Sequence, residues 1–400
     1  MPRRTLLLAP AVALLISGCS LSNSQTSGSG QINAGVGSNS KNALDQLGLP
    51  TAATRDTTRV SGSDPVTDAA GVASALFPAS ARTNRPGAVT LVDKDQWQAG
   101  VAAAVLTGAP LRAPILLSSG DSLPAATSQT LTRLKPTGER LAKGAQAILV
   151  GDRPPAPNGV KSGAIHGNDP YTIAEAVDRF QTAVAGKPTG DVAVVSGEKA
   201  AWAMPAAGWA ARSGDPVLFV KKNSIPAPTK RALVAHSKPN IYLLGSPAVI
   251  SASVEKQLKT YGGTVTRIKG DKKNPVKDPV SAAVQFTRFH QGGFGWGATQ
   301  PGRNYALAST SRPLDAAAAA ALGGNGVFAP LLLTDSASKL PRVLESYFLD
   351  VQPGFESGDP SQGFYNRVWI MGNRAAVSIA AQARIDQLTE LIPVDQPSGK

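Results

Sequence analysis

Residues 113–127 read "APILLSSGDSLPAAT". An apolar run of strand length is followed by a polar turn and a helix start. The chain repeats the pattern as "DPVLFVKKNSIPAPT" from Asp215 and "APLLLTDSASKLPRV" from Ala329. Each copy opens on a proline (Pro114, Pro216, Pro330) and closes on another (Pro124, Pro226, Pro341), ten, ten and eleven residues later. A spacing kept three times marks a repeated unit.

A second signal lies upstream of each copy: "DPVTDAAGVA" at Asp64, "DPYTIAEAVDRF" at Asp169 and "DPVSAAVQFTRF" at Asp278. Aspartate caps the free N–H groups of a helix start, and proline suits the first turn, where its missing N–H costs nothing. The three aspartates stand 105 and 109 residues apart. Between the two signals runs another strand, "AVTLVD", "DVAVVS" or "NYALAS", and then an alanine-rich helix. Downstream comes a strand ending in glycine, at Gly151, Gly245 or Gly372. Apolar strands alternating with helices predict parallel sheets covered on both faces. The expected fold is therefore three tandem three-layer α/β modules in a pseudo-threefold arrangement, at 57–164, 165–264 and 265–392, with a short tail at 393–400. In each, the proline-led strand is expected to be central.

The first twenty residues, "MPRRTLLLAPAVALLISGCS", combine two arginines, a short apolar run and small residues before Cys19, the chain's sole cysteine. That is the pattern of a secretory signal, too short to span a bilayer. Ile16-Ser17-Gly18-Cys19 resembles the bacterial lipobox, which implies a signal peptide at 1–18 and acylation of Cys19. Residues 19–56 are rich in Ser, Gly, Asn and Gln and read as a disordered tether, with a mean span of ~35 Å.

The three copies resemble the cell wall binding repeat 2 family of Gram-positive surface proteins, and "GNDPYTIAEA" is similar to one of its segments, with Pro170 where that family has arginine. The resemblance implies non-covalent attachment to anionic wall polymer. The predicted protein is a monomeric lipoprotein on the outer face of the cytoplasmic membrane and in the wall of a Gram-positive-type bacterium. The alternative is a solute-binding lipoprotein of a transporter, which would have two lobes and a hinge.

The net charge of +13 favours an anionic partner, and export makes nucleic acid an unsuitable one. No catalytic pattern stands out, so a binding protein without enzymatic activity or cofactor is expected. His166, His236 and His290 have no ligand spacing, and Ser196 reads as a hydroxyl in a strand–helix turn. The glycine-rich stretch 291–302 is expected to form a loop with Phe294 and Trp296 at its tip. Ligands of open α/β sheets bind beyond the carboxyl ends of the strands. The candidate polymer-binding residues there are Lys94, Lys199 and Arg312, one per module, then Lys221 and Lys222, and then Arg153 and Arg374.

Overall fold

The computed structural model describes residues 50–152, 155–356 and 360–394. Cys19, residues 19–49 of the expected tether and Arg153 lie outside them; the last tether residues, 50–56, are instead part of the fold and carry β1 (Pro50–Ala53). The three aspartates cap helices as their sequence requires. Asp64 opens α1 (Pro65–Leu76), Asp169 opens α4 (Pro170–Ala185) and Asp278 opens α8 (Pro279–Arg288). Each carboxylate accepts the backbone N–H three residues on, from Thr67, Thr172 or Ser281, at 2.9, 3.1 and 2.7 Å. Those hydroxyls accept the aspartates' own N–H groups in return. Two otherwise orphaned donors are thus satisfied at each helix start.

Three parallel sheets follow. In module 1, β3 (Val89–Asp93) lies between β4 (Ile115–Ser118) and β5 (Ala147–Gly151), with β6 (Ser162–His166) beyond β5. Module 2 repeats this order with β7 (Asp191–Ser196), β8 (Val217–Val220), β9 (Asn240–Leu244) and β10 (Thr264–Ile268). In module 3, β11 (Asn304–Ser309) lies between β12 (Leu331–Thr334) and β14 (Arg367–Met371). The short β13 (Gly354–Glu356) pairs instead with β15 (Ile392–Val394). Gly151, Gly245 and Gly372, which close the third strands, have φ of 134°, 152° and 84°. Side chains rarely adopt such values, which is why each of these strands ends in glycine.

The proline-led strands β4, β8 and β12 start where expected, but at sheet edges rather than in the centre. The carbonyls of Pro114, Pro216 and Pro330 accept from Thr90, Ala193 and Ala306 at 2.9, 3.1 and 2.9 Å. The three prolines are thus equivalent, and opening a strand costs proline no ladder donor. These edge strands are still fully buried, because a neighbouring module covers each one. The alanine-rich helix α9 (Asp315–Gly323) of module 3 packs on β4, α2 (Trp97–Ala103) of module 1 on β8, and α5 (Ala200–Ser213) of module 2 on β12.

Those three helices also pack on one another at the pseudo-threefold centre. Alanine and glycine let the backbones approach closely. A Cβ on Gly323 would stand 2.1 Å from the Gly208 carbonyl oxygen, and one on Gly108 would stand 2.0 Å from that of Ala211. The glycine-rich loop feeds the same core and carries no exposed aromatic tip. Phe294 is fully buried and stacked on Tyr242 at 3.8 Å, and Trp296 meets Trp209 edge-on. Three sheets around one centre also differ from the two hinged lobes of the alternative reading, which finds no support.

The sheets also redraw the module edges. β6, which straddles the boundary at 164/165, belongs to sheet 1, and β10 belongs to sheet 2. Each fourth strand then leads into the helix that opens the next module. Sheet 3 takes its fourth strand from the beginning of the chain: β2 (Thr57–Val60) lies parallel to β14, with β1 (Pro50–Ala53) antiparallel outside it. The N-terminal strand therefore closes the ring. Arg59 in β2 is buried and donates to Gln382 of α11 (Ile379–Thr389) and to the carbonyls of Gly372 and Asn373. Burial pulls its pKa down to about 10. Arg267 holds the same register in β10 and donates to the Gly245 carbonyl, whereas module 1 has Ala164 there. Thr54 and the N–H of Asp56 bind Asp386, and Arg55 pairs with Glu390.

Candidate functional site

The carboxyl ends of the three first strands carry the residues expected to meet a ligand, and the backbone fixes which of them correspond. The N–H of Lys94 donates to Ser118, that of Gly197 to Val220 and that of Thr310 to Thr334, each at 2.9 Å. Lys94 therefore corresponds to Gly197 and Thr310. The residues equivalent to one another two positions later are Gln96, Lys199 and Arg312. Gln96 and Arg312 donate their N–H to the carbonyls of Asp93 and Ser309, and Lys199 donates to the Ser196 hydroxyl. The expected trio is thus out of register by two residues in module 1.

The three positions also differ in chemistry. Arg312 is mostly covered and forms ion pairs with Asp68 on α1 and Asp315 on α9, whose side chains are fully buried. Its Nη1 donates to the Ser63 carbonyl. Burial drives the carboxyls of Asp68 and Asp315 above the usual range, and Arg312 opposes that rise. Asp68 also accepts the N–H groups of Gly62 and Gly372. Arg312 therefore locks module 3 to module 1 and presents no outward charge for a polymer. The partner that decides this role, Asp68, lies 244 residues away in sequence, and no local pattern announces it.

Lys199 is exposed at the start of α5. Lys221 and Lys222, just past β8, are exposed beside it. The Lys221 ammonium stands 5.8 Å from the Tyr171 ring centre, and the Lys222 N–H donates to Glu198. Module 2 thus gathers three solvent-facing cations at one strand end. In module 1 the Lys94 ammonium lies 2.8 Å from the Asp95 carboxylate. Arg374 is half-buried past β14, close enough to Arg59 to lower that group's pKa further.

Ser196 is buried and accepts the N–H groups of Glu198 and Lys199 at 3.1 Å, which organises the turn into α5. His236 is buried between Asp178, at 2.9 Å, and the Thr189 carbonyl, at 2.8 Å. Burial disfavours its cation, but these two partners outweigh that and raise its pKa above the ordinary 6.5. Among the described residues no group of three His, Cys, Asp or Glu could hold a metal, and no helix is long and apolar enough to cross a membrane.

Residues 165–255 match the model of the family described as cell wall binding domain 2. Among solved structures the chain is similar to Cwp6 from Clostridium difficile, with 15% identity and a TM-score of 0.65 over 84% of this chain and 48% of that one. It is similar also to Cwp8 from Clostridium difficile, with 20% identity and a TM-score of 0.61 over 84% of this chain and 52% of that one. The chain spans about half the length of each. A search of curated proteins found no match. The chain carries a module of the cell wall binding domain 2 family at residues 165–255, inside a three-sheet α/β fold shared with those two structures.

Proposed function

We propose that this protein is a lipoprotein, acylated at Cys19 and held on the outer face of the cytoplasmic membrane, whose three modules bind anionic cell-wall polymer non-covalently. It acts by binding rather than by catalysis. The observation that supports this reading most is the family match of the middle module, set in a ring with two units of the same topology. Solvent-facing cations past the strand ends, chiefly Lys199, Lys221 and Lys222 with Lys94, supply the attraction. An exposed ion pair contributes only about 0–1 kcal/mol. Several such contacts on one rigid body meeting one long chain gain through effective concentration, by roughly 10²–10⁴ over a single site.

The test is sedimentation with purified cell walls before and after chemical removal of their anionic polymers. The protein is expected to sediment with intact walls, to remain in solution with stripped ones, and to be released by salt. Equal sedimentation with both would sink the polymer reading. Labelled fatty acid should enter the wild-type protein and not Cys19→Ala, and labelling of that variant would remove the lipid anchor.

A further inference from the structure

Module 1 departs from its two copies at one place. In modules 2 and 3 the third strand is followed by a helix, α7 (Ala252–Leu258) and α11. Among the described residues between β5 and β6 there is none. In module 3, α11 lies along α10 (Arg342–Asp350), and Arg384 binds Glu345 at 2.9 Å. The position equivalent to Glu345 is Ser128 on α3 (Ala125–Leu134). Each donates its N–H to the proline that precedes its helix, Pro341 or Pro124, at 3.0 Å. Module 1 thus has a short hydroxyl where module 3 has a carboxylate paired to a covering helix.

The uncovered space is a cleft of about 640 Å³ beside α3. It sits at the amino ends of the strands, away from Lys94. Leu131 lines its apolar side, and Ser128 and Asn158 supply hydroxyl and amide groups. Among the described residues its charged groups are Arg82, Arg85 and Lys135, and no carboxylate lines it. Arg82 and Lys135 are exposed and make no ion pair among the described residues. Three cations around a concave wall focus a positive field into it, and arginine donates charge-assisted hydrogen bonds to oxyanions in a fixed fork.

We propose that this cleft is a binding site for an oxyanion carried on a sugar chain, a phosphodiester or carboxylate with its adjoining sugar. Its volume lies within the usual range of ligand pockets. The identification of the wall as the ligand's source rests on the wall-binding reading, but the chemistry of the cleft does not. Module 1 would then supply a polymer contact that its two copies lack.

The experiment is calorimetric titration of the full chain with a glycerol-phosphate oligomer, an oligogalacturonate, inorganic phosphate and a neutral dextran oligomer. One or both charged oligomers should bind, more tightly than inorganic phosphate, and dextran should not. Arg82→Gln/Arg85→Gln/Lys135→Asn should weaken binding at least about 100-fold, since each charge-assisted contact is worth about tenfold or more. Asparagine is chosen because Lys135 has φ 45°, a conformation it tolerates. Ser128→Trp fills the cleft and keeps every charge, and it should also abolish binding. Each variant's fold is checked by its unfolding transition. The proposal is overturned if the triple variant or Ser128→Trp binds as the wild type does, or if inorganic phosphate binds as tightly as the oligomers. Wild-type protein that sediments with walls but ignores both oligomers would sink the cleft alone. Protein that binds an oligomer and ignores walls would sink the wall-binding reading and leave the cleft.

Discussion

The three junctions between modules occupy equivalent places, yet one is ionic and two are apolar. Where module 3 meets module 1, Arg312 is clasped by Asp68 and Asp315. Where module 1 meets module 2, the corresponding residues are Gln96, Ile173 and Ala99. Where module 2 meets module 3 they are Lys199, Ala282 and Trp202. Ile173, Ala99, Ala282 and Trp202 are all buried. The junction alone therefore does not require charge. The ionic version stands where the chain does not run continuously from one module into the next, since β2 reaches sheet 3 only by non-covalent pairing. A buried ion pair adds little net stability over well-packed apolar groups, but an unpaired one is costly. The Arg312 cluster thus ties together the one junction that the connecting chain does not, where the other two rely on apolar packing.

The largest effect should come from breaking that cluster on one side. Arg312→Ala leaves two buried carboxylates without their partner and should cost about 3–5 kcal/mol in urea unfolding. The combined change Asp68→Ile/Arg312→Gln/Asp315→Ala copies the chemistry of the junction between modules 1 and 2. It should recover most of that loss. A triple variant as unstable as Arg312→Ala would show that the junctions are not equivalent.

Next comes Arg59, which ties β2 to sheet 3. Arg59→Ala leaves the Gln382 side chain and the Gly372 and Asn373 carbonyls short of a donor. It should cost about 1–3 kcal/mol. Amide hydrogen exchange should rise in β2 and β14 and stay unchanged in sheet 2. Uniform acceleration across all three sheets would contradict local closure by this strand.

A smaller effect is a pH slope from module 2. The pKa of His236 is raised in the folded protein, so its contribution is complete below about pH 6.5 and is lost as pH climbs through the raised value. Stability should decline as pH rises above about 6.5, and His236→Gln should flatten that decline. An unchanged slope in the variant would assign it to another group. Lys199→Ala, at the position equivalent to Arg312 but facing solvent, should change stability by no more than about 0.5 kcal/mol.

The sequence made the local devices legible and left the long-range ones hidden. The caps at Asp64, Asp169 and Asp278 follow from residues within four positions of one another, so the reading from sequence holds there. The prolines at 114, 216 and 330 correctly mark strand starts. Their edge position depends on strand order, and their burial on helices of other modules, neither of which is written near them. Arg312 counted as a surface cation because Asp68 lies far off in sequence. Lys94 took the place that belongs to Gln96 because charge, rather than backbone register, guided the match. Phe294 and Trp296 looked like a loop tip because Tyr242 and Trp209, which receive them, belong to the previous module.

The wall-binding account makes its sharpest claim in the contrast between solvent-facing cations past the strand ends and cations elsewhere. The most direct measurement is the salt-dependent affinity for purified walls of Lys94→Gln/Lys199→Gln/Lys222→Gln, set against the control Arg140→Gln/Lys256→Gln/Arg384→Gln. Both variants lose the same charge, so diffuse attraction, screened beyond about 10 Å at 0.1 M salt, falls equally in the two. The account predicts a several-fold greater loss of binding in the strand-end variant, together with a shallower salt dependence. Equal loss in the two variants, or none in either, would contradict it.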